Sequence, residues 1–168
     1  MKFLTGSIIV TAILSAADAI AEPVSPFLDA SWAGTGVFRE TTDGPVQNGR
    51  CRVETVVTLG QEALNLTGQC AGVAASTKVL LKLERRGENR IAAVFRLWAW
   101  DREIQFVGVE SDGVIRMTGR EPMQLNGSAF DSALEINWSQ GPGFSMEFAV
   151  STDSGPDVEL LSMQFELR

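Results

Sequence analysis

The chain contains no histidine and no tyrosine. Without histidine it lacks the usual general base, the Ser-His-Asp and Cys-His catalytic arrangements, and the commonest zinc ligand. Cations are scarce: 14 Lys and Arg stand against 21 Asp and Glu, giving a net charge of −7. Nucleic acids and anionic membrane surfaces are held through a basic footprint, so neither is expected as a partner. The sequence has no Asp-x-Asp-x-Asp-Gly calcium loop and no glycine-rich loop opening a helix to hold phosphate. No cofactor and no metal are implied. Cysteine is nearly absent too, with only Cys51 and Cys70.

What is present begins with an export signal. Lys2 supplies a short positive region, Phe3 to Ile13 a mostly apolar one, and Ala19-Ile20-Ala21 a small-x-small cleavage site. The apolar stretch is too short to span a bilayer as a helix, and no later one is long enough. Residues 1–21 are therefore read as a signal peptide cleaved after Ala21, with Ala19 as the alternative. Residues 22–30 form an extended lead-in carrying Pro23 and Pro26, and residues 31–168 one domain. The expected location is periplasmic or secreted, with no integral membrane segment after cleavage.

In an exported chain two cysteines most simply form one disulfide. Cys51, Val53, Val57 and Leu59 share one parity, as do Leu64, Leu66 and Cys70. This is the period-2 pattern of half-buried strands. A two-residue turn at Gly60-Gln61 would place Val57 opposite Leu64, Val53 opposite Gly68 and Cys51 opposite Cys70. Both sulfurs then meet on the apolar face, at a cross-strand spacing that suits a disulfide.

The rest of the chain repeats this rhythm. Alternating stretches run from Trp32 to Glu40, Lys78 to Glu84, Arg90 to Trp100, Ile104 to Glu110, Val114 to Leu125, Ala133 to Gln140, Phe144 to Ser151 and Val158 to Leu167. Leu161, Met163, Phe165 and Leu167 are expected inward in the last. One helical turn is possible at Leu28 to Ser31. Turns are expected at Ser111-Asp-Gly113 and at Asn126-Gly127, the strongest hairpin signal in the chain. The fold class is all-β: a single antiparallel up-and-down barrel-like meander of about eight to ten strands, with a sandwich as the alternative.

No residue pattern demands catalysis. A carboxylate pair could hydrolyse a glycosidic bond, but the acids fall at turns and on polar strand faces. Non-catalytic binding is the expectation. Inside a barrel, Phe95, Phe106, Met117, Trp138 and Phe148 are candidates to line a site for a small apolar ligand. Arg96 shares a face with Trp98 and Trp100. Facing out, these three offer an aromatic and cationic patch to an envelope or secreted protein; facing in, Arg96 could hold an acidic head group; covered on both sides, they are packing. Asn65-Leu-Thr67, Asn126-Gly-Ser128 and Asn137-Trp-Ser139 match the glycosylation sequon and are read as chance.

Trp32, early in the first strand and followed by Ala33-Gly-Thr-Gly36, resembles the floor tryptophan of the calycin group, which includes lipocalins, fatty-acid-binding proteins and bacterial metalloprotease inhibitors. The glycine of the group's Gly-x-Trp mark is replaced by Ala30. The resemblance implies a barrel closed by Trp32 at its floor, a late arginine over that ring (here Arg168), and either ligand carriage or protease inhibition through the N-terminal segment.

Overall fold

The structure, a computed structural model, describes residues 28–58, 62–72, 76–97, 102–139, 141–152 and 155–168. Among these there is no helix. The strands are β1 (Ala30–Phe38), β2 (Gln47–Thr58), β3 (Ala63–Ala71), β4 (Ser76–Arg85), β5 (Arg90–Leu97), β6 (Arg102–Ser111), β7 (Val114–Gly119), β8 (Met123–Leu125), β9 (Ser128–Asn137), β10 (Gly143–Ser151) and β11 (Val158–Leu167). Each of the first six pairs antiparallel with the next; β9 pairs with both β7 and β10, β10 with β11, and β11 returns to β1. The result is a closed meander barrel of ten strands, with β8 paired to β9 outside it. Closure excludes the sandwich, because no edge of the main sheet is left unpaired.

The alternation read from the sequence decides which side chains enter the barrel. Its floor is Trp32, which is fully buried. The indole Nε1 donates to Thr55 Oγ1 at 2.9 Å, and that hydroxyl donates to the Leu28 carbonyl at 2.6 Å. A buried Trp needs such a partner for its one polar atom. Phe144 meets Trp32 edge to face, with ring centroids 4.9 Å apart, and Phe165 stacks on Phe144 at 4.6 Å. Above them Phe148 touches both Phe95 and Phe106. The lower and middle barrel are therefore filled by rings and by Leu66, Leu81, Leu83 and Leu134.

Two early glycines matter for different reasons. A Cβ on Gly36 would collide with the Ser162 carbonyl oxygen of β11, so this strand pair can approach closely only without a side chain there. A Cβ on Gly34 would instead strike the Phe165 ring, so this gap makes room for an aromatic and not for a backbone.

Several expectations are corrected. Leu28 to Ser31 forms no helical turn; Ala30 and Ser31 already belong to β1. The single strand expected over Val114 to Leu125 is two, separated at Arg120 to Pro122, where the proline lacks the amide a ladder needs. Leu167 keeps the inward parity, in register with Trp32, but as the last residue of β11 it is 48% exposed and not part of the core. Leu160 is buried alongside Leu161, since the register of β10 on β11 shifts between Phe148 and Ala149. At such a bulge two successive residues can share a face. Arg168 is exposed, and its tie to the floor is its amide, which donates to the Ser31 carbonyl at 3.0 Å.

Candidate functional site

The β2–β3 pairing matches the register read from the sequence. Val57 faces Leu64, Val53 faces Gly68 and Cys51 faces Cys70, and the two cysteines are bonded, with Cα atoms 4.0 Å apart. The turn expected at Gly60-Gln61 lies outside the described residues. A disulfide forms and persists in an oxidising compartment, so the fold belongs to a non-cytoplasmic environment. No helix among the described residues is long and apolar enough to cross a membrane.

Strand direction sorts the two ends of the barrel. Trp32 and the connections after β2, β4, β6 and β9 lie at one end. The connections after β1, β3, β5 and β10 lie at the other, and there the interior opens into a cavity of about 430 Å³. Its wall comes from the neighbouring strands β11, β1, β2, β3, β4 and β5. The deep part is apolar and buried: Leu97, Leu161, Met163 and the Cys51–Cys70 disulfide. Phe38 stands half-buried at the side. Gly49 on β2 and Gly72 after β3 face this ring, and a side chain at either would press against it. Their lack of side chains, with the ring placed between them, is what leaves the volume open.

The rim is polar. Glu40, Gln47, Ser76, Thr77 and Lys78 border the opening, one carboxylate and one ammonium among neutral donors and acceptors. The connection after β1 is held across this end by the Arg39 amide, which donates to the Leu160 carbonyl at 2.8 Å. The Arg39 guanidinium also donates to the Gly44 carbonyl at 3.3 Å. Such a site can surround an apolar body and hydrogen-bond a polar end.

The residues expected to line a ligand site stand elsewhere. Phe95, Phe106, Met117 and Phe148 fill the barrel below the cavity, each at most 2% exposed. Trp138 is buried near the floor, where its amide donates to the Gly113 carbonyl. Arg96 sits on the outward parity of β5, in register with Glu103 of β6 and Leu80 of β4. Trp98 and Trp100 lie outside the described residues. Of the candidate site residues that are described, only the disulfide pair reaches the cavity. The sequence carried one signal for the rest: Phe38 and Gly49 are inward by parity and lie at the same end of adjoining strands.

Two of the three sequons have local structural uses. Asn126 is the left-handed first residue of the β8–β9 turn, with φ 51°. The Asn137 side-chain oxygen accepts from the Ser139 amide at 2.9 Å and from its hydroxyl at 2.8 Å. No family model matches the chain, and no curated protein matches it.

Proposed function

We propose that the protein is an exported, non-catalytic carrier or sensor of a small amphiphile, held apolar end first in the cavity beside the disulfide. One observation carries this reading: an apolar chamber of about 430 Å³ opens through a polar rim at one end of an otherwise filled barrel. Pockets of a few hundred Å³ with a few polar groups at one side suit small ligands. Lys78 and the neutral donors of the rim favour an acidic or uncharged head group. The reading as a binding protein draws on the absence of histidine and on both cysteine sulfurs being bonded to each other. A signal-like N-terminus together with a disulfide supports the periplasm or the exterior as its place of action. The closed meander and its floor tryptophan support grouping it with the calycins, on the side of the ligand carriers.

The test is calorimetric titration with straight-chain carboxylates of increasing length. Each added CH₂ that enters the chamber contributes about 0.8 kcal/mol, or roughly fourfold in affinity, until the space is full. Thr77→Trp, a plug at the half-exposed rim, is expected to abolish binding while the folded state survives. Carboxylates and the matching alcohols that all fail to bind saturably would sink the proposal. Mass spectrometry of the protein purified natively from its own host would then identify the physiological ligand.

A further inference from the structure

The outer face of β4 to β7 has a charge pattern unusual for so acidic a chain. Residues 78–120 hold nine of the fourteen Lys and Arg against six acids, whereas residues 121–168 hold one base against eight acids. On the outside of the barrel Ala92 is in register with Val107, and Arg90 with Val109; Val94 adjoins Gln105. Val109 is 53% exposed and Val107 38%. Ala92, Val94, Val107 and Val109 line a shallow groove of about 740 Å³, bordered by Lys82, Arg86, Arg90 and Arg120 and by one carboxylate, Glu84. Arg86 is paired with Glu84, and Arg116, beside Val109, is paired with Glu135. Among the described residues Lys82, Arg90 and Arg120 make no ion pair.

We propose that this groove docks an acidic polypeptide segment, whose carboxylates reach Lys82, Arg90 and Arg120 while its apolar side chains cover the alanine and valine strip. The chemistry is that of an apolar centre framed by unneutralised cations, which complements alternating acidic and apolar side chains. Protein is favoured over lipid on two grounds. Screening beyond about 8 Å at physiological salt lets a narrow segment feel the local cations, whereas a broad anionic bilayer also meets a molecule of charge −7. The strip is made of short side chains set between longer ones, so nothing protrudes to enter a bilayer. The closed barrel leaves no strand edge here, so the segment binds through side chains and not by extending the sheet.

The experiment is titration of the intact protein with a peptide alternating Glu and Val, followed by NMR. The expected result is saturable binding that shifts the Ala92, Val94, Val107 and Val109 resonances. In the triple variant Lys82→Gln, Arg90→Gln, Arg120→Gln, affinity is expected to fall roughly tenfold or more, as the loss of three rim ion pairs implies. All three residues are exposed, so the variant should fold, and its unchanged melting transition checks that. Val109→Thr should weaken the same peptide. An equal affinity for a peptide alternating Glu and Ser would overturn the proposal, because charge alone would then suffice. So would binding indifferent to the triple variant, binding to phosphatidylglycerol vesicles in place of the peptide, or sedimentation showing that a second copy of the chain occupies the face.

Discussion

Thr55 is the residue on which the floor depends. It lies on the inward face of β2 and is 2% exposed, yet it is polar. Its hydroxyl accepts from the Trp32 indole and donates to the Leu28 carbonyl, so one side chain satisfies two buried groups on different parts of the lead-in and first strand. Thr55→Val keeps the shape and removes both bonds. Leaving buried donors and acceptors unpaired costs about 1–3 kcal/mol, so the urea midpoint is expected to fall with an unchanged slope. The companion variant Trp32→Phe removes the donor and part of the ring, and should cost more than Thr55→Val because the barrel floor then also contains a void. The alternation of the sequence does not show which groups Thr55 serves. Its inward parity, between Val53 and Val57, was the available sign.

At the scale of elements, the strands and their pairing were largely legible, and the contents of the barrel were not. Period-2 patterning identifies which residues share a face, and with a turn it fixes register; hence Cys51 opposite Cys70 and Val57 opposite Leu64. The Asn126-Gly127 turn followed from residue chemistry, and both residues are left-handed, with φ 51° and 83°. Patterning does not reveal depth along the barrel axis. Phe95 and Phe148 look like lining residues in sequence, but they meet each other in mid-barrel; Phe38 and Leu161, equally inward, stand where the interior is open. Depth depends on the stagger between strands, which accumulates around the barrel and is invisible strand by strand. The shifted register of β10 on β11, which buries Leu160, is a similar property of two strands together. The disulfide joins both themes, since it is a staple by pairing and a cavity wall by depth. The double variant Cys51→Ala, Cys70→Ala is expected to lose about 3 kcal/mol of stability, the chain-entropy value for a closed loop of this size, here a separation of 19 residues. Denaturant unfolding measures the loss. Reductant should leave the variant unchanged while shifting the parent protein.

The whole molecule has two poles along its axis and two across it. Along the axis, a tryptophan-closed floor opposes an open chamber; across it, the cation-bearing outside of β4 to β7 opposes the acidic stretch that follows Arg120. The two proposed sites use different sides of the same sheet and share little beyond β4 and β5. Carboxylate titration of the Lys82, Arg90, Arg120 variant should therefore match that of the parent, and the acidic peptide should bind the Thr77→Trp variant normally. The seam between β1 and β11 has a further consequence for how the chain comes to exist. The strand at the start of the barrel finds its second neighbour only in Val158–Leu167. A polypeptide threaded through a translocation channel from its amino end would thus carry β1 across long before its mate arrives. Until then β1 and β10 would each expose a row of unmatched peptide groups, an invitation to stick to other chains. A version ending at Asp157 is expected to be recovered as aggregate, and adding Val158–Leu167 as a separate peptide during refolding should rescue soluble monomer. In an exported chain, late completion of the seam would keep the polypeptide loose until Val158–Leu167 arrives and would leave an interval in which a chaperone could hold it.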